Sequence, residues 1–201
     1  MASALNKSRI LVSKVLGVGV LLCVFFTYSV IKPEGTLHEV LDFLGMAMVS
    51  ICALGRLYTT AYLGGSKNVR LITNGPFSIV RNPLYVFSLI GFTGVALMVN
   101  HIAVIVIVPL AFVLLYQRLI AREEKFLKEQ FGQSYEAYCN SVPRLLPNFS
   151  LWEDKKDITV NTRLLLNGAK DAIWWFAAFP LVEFIEFIQD QGLIIPHILV
   201  P

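Results

Sequence analysis

The sequence has few charged residues: they make up 15% of its 201 residues, whereas soluble domains carry about 25%. Hydrophobic residues make up 56%, which argues against an ordinary water-soluble domain and indicates a membrane protein. The three cysteines, Cys23, Cys52 and Cys139, are too few for a disulfide framework, so we expect unpaired thiols. The basic residues flank apolar segments and form no patch with interleaved aromatics, so no nucleic-acid partner is expected.

The motifs of several enzyme classes are also missing. There is no Walker sequence, no His-Glu-x-x-His, no Cys-x-x-Cys and no nucleophile elbow. Gly17 and Gly19 follow no predicted strand, so they indicate close helix packing rather than a nucleotide loop. The three histidines, His38, His101 and His197, are scattered along the chain, so we expect neither a metal site nor a metal partner.

Four apolar segments have the length that a helix needs to cross a bilayer, which is about 20 residues. They are residues 10–31, 37–57, 83–99 and 102–119. Only Asn100 and His101 separate the last two, which predicts an antiparallel helical hairpin. The apolar stretch 172–182 is shorter, so we expect an interfacial or partly inserted helix rather than a fifth full span. The predicted fold is an all-α integral membrane bundle of four to five transmembrane helices, without a Rossmann domain.

The positions of Lys and Arg predict the orientation in the membrane. All 17 except Lys32 lie near the start of the first span, around the junction of the second and third, or from the end of the fourth onwards. Because Lys and Arg concentrate in cytoplasmic loops, the N-terminus, the loop 58–82 and the region 120–170 are expected on the cytoplasmic face. The membrane would be a bacterial inner membrane or the endoplasmic reticulum.

Polar segments rich in turn residues lie at the helix ends between positions 71 and 147. Asn74-Gly75-Pro76 predicts a turn, and Arg81-Asn82-Pro83 opens the third span with proline near its first helical position. Glu123-Glu124 lies on the cytoplasmic continuation of the fourth span, and residues 133–140 predict one more short helix. Taken alone, each element also fits a capped helix start or a solvated helix surface.

In this order the segments resemble the isoprenylcysteine carboxyl methyltransferase family and its phospholipid methyltransferase relatives. The family pattern is Arg-His-Pro-x-Tyr, two helices, a Glu-Glu pair, Phe-Gly-x-x-Tyr-x-x-Tyr and a basic finish that contains proline. Here it reads Arg81-Asn82-Pro83-Leu84-Tyr85, Glu123-Glu124, Phe131-Gly132-Gln133-Ser134-Tyr135-Glu136-Ala137-Tyr138 and Pro143-Arg144-Leu145-Leu146-Pro147. Asn82 stands where the family has His, so one side-chain contact is expected to differ, and Asn can also donate and accept hydrogen bonds.

The resemblance implies a membrane methyltransferase domain over residues 1–147, whose motif-bearing region is 70–147, and a C-terminal extension over residues 148–201. It implies S-adenosylmethionine as cofactor, in a pocket at the cytoplasmic helix ends. The substrate would be a lipophilic small molecule or a lipidated group, reached among membrane lipids. The residues implied for cofactor binding are Gly75, Pro76, Arg81, Asn82, Pro83, Tyr85, Glu123, Glu124 and Tyr135.

Two of the matching residues are expected to be catalytic, Glu124 and Arg144. A carboxylate suits the positive charges of the cofactor, and a guanidinium can hold a carboxylate or phosphate bidentately. The methyl acceptor is left open between a lipophilic carboxylate, as in a prenylated cysteine, and the amine of a phospholipid headgroup. Two other interpretations stay open: an NADPH-dependent enzyme similar to sterol reductases, and a non-catalytic membrane protein with a decayed site.

Overall fold

A computed structural model describes residues 11, 14–20, 22, 25, 27–28, 35–64, 70–191 and 198–199. The first predicted span, residues 10–31, lies partly outside these ranges. Its described positions 11, 14–20, 22 and 25 are helical, and a two-residue strand β1, Thr27–Tyr28, follows. That strand pairs in parallel with β2, Ile198–Leu199. The rest of the described chain is built almost wholly from helices.

Two described helices are long and apolar enough to cross a membrane, α1 (Thr36–Leu63) and α4 (Ile102–Phe131). Between them lie α2 (Pro76–Ile79), which is a single turn, and α3 (Pro83–Met98), which is a shorter apolar helix. The second, third and fourth predicted spans are therefore confirmed as helices, and α3 and α4 form the predicted hairpin.

Helix α1 packs closely along α3 because glycines face each other across the contact. A Cβ added to Gly45 would lie 2.6 Å from the carbonyl oxygen of Gly94, and one added to Gly94 would lie 2.7 Å from that of Gly45. Small residues at such crossings let two backbones approach, which is how membrane helices gain packing energy without a hydrophobic driving force. The contact fixes α3, and hence the loop before it, against α1.

The core between α3 and α4 is aromatic. Tyr85 contacts Tyr116 edge to face at 5.4 Å between ring centroids, and Phe112 stacks on Tyr116 at 4.0 Å. Phe92 lies against Phe112 and also meets the edge of Trp175 from the C-terminal region at 5.1 Å. Offset and edge-to-face pairs of this kind add to the energy of apolar burial.

After α4 the chain turns at Gly132, whose φ of 53° favours glycine, and enters α5 (Gln133–Ser141). A 3₁₀ turn at Phe149–Leu151 leads to two further helices, α6 (Thr162–Phe176) and α7 (Ala178–Asp190). The side chain of Asn161 caps α6 by accepting a hydrogen bond from the Leu164 amide. The predicted apolar stretch 172–182 is thus divided between two helices that meet at Ala177.

The helices α6 and α7 contact opposite ends of α1. Near the end of α1, Arg56 forms an ion pair with Asp171 of α6 at 2.7 Å. Near its start, His38 lies 3.8 Å from a carboxylate oxygen of Glu186 in α7. The C-terminal region therefore packs beside α1. The division into a domain over residues 1–147 and an extension over residues 148–201 stays a prediction.

Candidate active site

Three polar segments of the predicted motif region meet beside the start of α3. Arg81 and Asn82 directly precede α3, Glu124 lies on α4, and Arg144 lies in the irregular chain after α5. We call these four residues the arginine–glutamate cluster. The family order predicted that these segments would meet, and the structure brings them together.

The contacts within the arginine–glutamate cluster centre on the carboxylate of Glu124. Its Oε1 accepts a hydrogen bond from Asn82 Nδ2 at 3.2 Å, and its Oε2 lies 3.0 Å from Arg144 Nη2. Arg81 Nε is 3.9 Å from Oε1, which is a charge contact too long for a hydrogen bond. The same Asn82 amide nitrogen lies 3.2 Å from the carbonyl oxygen of Arg144 and donates to it. Asn82 thus joins the carboxylate to the chain that carries Arg144.

Backbone hydrogen bonds hold the two loops together independently of these side chains. The amide of Arg81 donates to the carbonyl of Pro143 at 2.8 Å. The hydroxyl of Tyr138 on α5 donates to the carbonyl of Phe77 on α2 at 2.6 Å. The position of Arg144 relative to α3 is therefore set by the backbone of both segments.

The arginine–glutamate cluster is mostly sheltered from water and has unused hydrogen-bonding capacity. The side chains of Arg81 and Glu124 are 16% and 17% exposed, and that of Arg144 is 38% exposed. Within the described part of the chain, the buried Nε atoms of Arg81 and Arg144 have no hydrogen-bond partner. An unpaired buried donor costs free energy, so these atoms suit an anionic or polar ligand group.

Two tyrosines of α5 form the wall behind the arginine–glutamate cluster. Tyr135 and Tyr138 are buried together with Val142 and pack against Leu71. Burial raises the pKa of Tyr135, and the nearby negative charge of Glu124 raises it further. Burial also raises the pKa of Tyr138, against a smaller opposing effect of Arg81. Both phenols are therefore neutral at physiological pH and cannot serve as phenolate bases.

The other predicted site residues lie around this group in different environments. Gly75, with φ 59° and ψ −132°, directly precedes α2 as its N-cap, and Pro76 is the first residue of the helix. Pro83 is at the start of α3, and Tyr85 is 4% exposed in the aromatic core. Of the acidic pair, Glu124 makes the contacts described above, while Glu123 is half-buried beside it on α4.

A second ion pair near the same end of α3 was not predicted. Arg56 Nε donates to Asp171 Oδ2 at 2.7 Å, and its Nη1 lies at 2.5 Å from Ser88 Oγ. Its guanidinium also lies over the Trp175 ring, with Cζ 6.0 Å from the centroid. Arg56 and Asp171 are 115 positions apart, so no local pattern in the sequence connects them.

His38 lies near the start of α1 and His101 directly precedes α4, so both are at the helix ends away from the arginine–glutamate cluster. His38 Nε2 is 3.2 Å from Asp42 Oδ2 and 3.8 Å from Glu186 Oε2. Asn100 Nδ2 donates to the other oxygen of Asp42 at 2.8 Å. In the described ranges, no group of three or more His, Cys, Asp or Glu side chains is arranged to hold a metal ion. His197 lies outside the described residues.

Comparison with known proteins identifies relatives of two kinds. A family model described as phospholipid methyltransferase matches residues 37–134. The cobalt-zinc-cadmium resistance protein CzcN of Cupriavidus metallidurans is 34% identical over 94% of this chain and 87% of its own length. The nickel-cobalt-cadmium resistance protein NccN of Alcaligenes xylosoxydans xylosoxydans is 28% identical over 79% of this chain and 74% of its own length.

Enzymes are also among the relatives. Protein-S-isoprenylcysteine O-methyltransferase B of Arabidopsis thaliana is 28% identical over 73% of this chain and 80% of its own length. No solved structure matches the chain. These findings correct one prediction. We expected no metal partner, and this is wrong, because two relatives are named as metal-resistance proteins. That prediction rested on the scattered positions of the histidines. A relation to metals does not require metal ligands close together in the sequence.

Proposed function

The chain belongs to the isoprenylcysteine carboxyl methyltransferase and phospholipid methyltransferase-like family, and from this premise we propose that it methylates a lipophilic acceptor with S-adenosylmethionine as the donor. Its relatives mark it as a membrane methyltransferase of this type. The observation that carries the proposal is the arginine–glutamate cluster, in which two guanidinium groups and one amide surround one carboxylate.

The charges of the arginine–glutamate cluster match the amino-acid end of the cofactor. That end carries an ammonium and a carboxylate, so it needs an anionic and a cationic partner close together. Glu124 is suited to the ammonium, and the unpaired Nε atom of Arg81 is suited to the carboxylate. When bound, S-adenosylmethionine supplies an electrophilic methyl group on a positively charged sulfur. The protein's task is then to align the acceptor and exclude water.

The same geometry favours a carboxylate as the methyl acceptor. An ionised carboxylate needs no general base, whereas an amine must first lose a proton. Glu124 is held by Asn82 and Arg144 and in this proposal also faces the ammonium of the cofactor, so it is not assigned the role of a base. The phenols of Tyr135 and Tyr138 are neutral, because burial raises the pKa of each. With these groups engaged or neutral, an acceptor that arrives ionised fits the site best, and Arg144 can hold it in place.

We place this chemistry on the cytoplasmic face, since Lys and Arg concentrate at that end of the helices. Gly75 and Pro76 would form the loop over the cofactor, with Pro83, Tyr85 and Tyr135 behind it. A lipid acceptor would reach the site from the bilayer along α1 and α4, the two described helices that are long and apolar enough to cross it.

Incubation of the purified chain with methyl-labelled S-adenosylmethionine and a total membrane lipid extract tests the proposal. The expected product is a base-labile methyl ester, whose formation Glu124→Gln reduces strongly and Glu129→Gln leaves unchanged. Glu129 is a matched control because it lies on the same helix in an exposed pair with Lys125. A base-stable methylamine would instead identify a phospholipid amine as acceptor. Absence of transfer together with NADPH binding would identify an enzyme of the sterol-reductase kind.

The names of two relatives extend the proposal to a cellular setting, in which methyl transfer supports tolerance of divalent transition metals. Growth of a deletion strain of the source organism in cobalt, zinc, cadmium and nickel salts tests this extension. Wild-type chain and Glu129→Gln are expected to restore tolerance, and Glu124→Gln is not. Restoration by Glu124→Gln would separate the resistance from methyl transfer.

A further inference from the structure

The chain directly after the matching region returns across the loop that carries Gly75. We call residues 148–154 the strap. The amide of Asn148 donates to the carbonyl of Ile79 at 2.9 Å, and the amide of Gly75 donates to the carbonyl of Glu153 at 2.7 Å. The strap thus contacts both ends of α2 through main-chain hydrogen bonds. Such bonds do not depend on residue type, so the sequence does not reveal them.

Side chains also connect the strap with the α2 region and with the end of α1. Ser78 Oγ donates to the carbonyl of Gly75 at 2.7 Å and accepts a hydrogen bond from the amide of Glu153 at 3.0 Å. The carboxylate of Asp154 accepts a hydrogen bond from the hydroxyl of Tyr62 near the end of α1. The Tyr62 hydroxyl also lies 3.0 Å from that of Tyr58.

The ring of Tyr62 in turn presses on the loop. A Cβ added to Gly75 would lie 2.3 Å from Tyr62 Cε1, so only a glycine leaves room for the ring. Gly75 also has φ 59° and ψ −132°, a conformation that other residues rarely adopt. Because glycine has the largest conformational freedom to lose, this turn depends on outside contacts to keep its shape. Tyr62 on one side and the Glu153 carbonyl on the other supply those contacts.

We propose that Tyr62 and Asp154 are positioning residues for cofactor binding, which act by holding the turn at Gly75 and Pro76 between the Tyr62 ring and the strap. The inference rests on the proposed function, in which this turn lies over the cofactor. It assigns the first residues of the predicted extension to the active site, although the quoted family motifs end at Pro147. The site is then incomplete in a chain truncated before the strap.

The test measures binding of S-adenosylmethionine and steady-state kinetics for the purified full chain and three variants. Tyr62→Phe removes the donor of the hydrogen bond and Asp154→Ala removes its acceptor. Asp157→Ala is the control, since it removes a neighbouring exposed carboxylate in the same way. We expect each of the first two variants to raise Kd and KM for the cofactor about tenfold, the effect of losing one hydrogen bond to a charged group. The acceptor KM and the kcat at saturating cofactor stay within about twofold, and the double variant is no weaker than either single one.

The outcomes separate this inference from the proposed function. If the wild-type chain binds no S-adenosylmethionine, the proposed function is wrong. If the wild type binds it and both variants bind equally well, the positioning role is wrong. A fall in kcat with unchanged cofactor KM would also overturn it. Should Tyr62→Phe fail to fold, Asp154→Ala carries the test alone, because Asp154 is an exposed residue.

Discussion

Replacing Glu124 by glutamine removes the negative charge at the centre of the arginine–glutamate cluster, and its cost can be worked out from the contacts. Oε2 lies 3.0 Å from Arg144 Nη2, between side chains that are 17% and 38% exposed. A hydrogen bond to a charged group contributes about 1.5–3 kcal/mol, and an exposed ion pair contributes about 0–1 kcal/mol. Because the pair is half-buried, we expect about 1.5 kcal/mol of coupling between the two side chains.

A double-mutant cycle measures this coupling without assuming any catalytic role. The free energy of unfolding in mixed micelles is determined for the wild type, Glu124→Gln, Arg144→Met and the double variant. Glutamine keeps an oxygen for Asn82, so the cycle isolates the charge contact with Arg144. As a control, Glu129→Gln breaks an exposed contact of 3.9 Å with Lys125 and should change stability by less than about 0.5 kcal/mol. A coupling energy below about 0.5 kcal/mol between Glu124→Gln and Arg144→Met, which means nearly additive single effects, would refute the reasoning.

Three further predictions address other parts of the molecule. Gly75→Ala should lower the unfolding free energy by more than about 2 kcal/mol, since its Cβ would overlap the Tyr62 ring and its φ is positive; unchanged stability would contradict the contact. Arg56→Met should release α6 and speed proteolysis between α5 and α6, whereas equal cleavage rates would show that the Asp171 ion pair is dispensable. Tyr138 should stay neutral above pH 10 because burial raises its pKa, so stability should fall as the pH rises past 10, where the unfolded phenol ionises. Absorbance titration with Tyr138→Phe as reference checks this, and an ordinary ionisation midpoint would contradict it.

The helices and their order follow from local features of the sequence. Two residues between apolar segments leave room only for a tight hairpin. Pro83 lies in the first turn of α3, the helical position where proline is most favoured. The continuation of α4 past its apolar segment, which ends near Leu119, was also predicted, and the helix extends to Phe131. Charged residues such as Glu124 and Lys125 are good helix formers, so the backbone continues where the hydropathy stops.

Long-range contacts mark the limit of sequence reasoning. The meeting of Asn82, Glu124 and Arg144 was predictable because the family order and the distribution of Lys and Arg both place these segments on one face of the membrane. The pairing of Arg56 with Asp171 and the hydrogen bond from the Gly75 amide to Glu153 had no such guide. A main-chain hydrogen bond can form with almost any residue type, so it leaves no pattern to read.

The central claim is that the loop before α3 and the end of α4 form one pocket for S-adenosylmethionine. The most direct measurement is photochemical cross-linking of labelled S-adenosylmethionine to the purified chain, followed by mapping of the labelled peptides. We expect label within residues 71–85 and 123–144, and its loss when excess unlabelled S-adenosylhomocysteine is present. Label confined to peptides outside both ranges, or no protectable label at saturating cofactor, would contradict the claim.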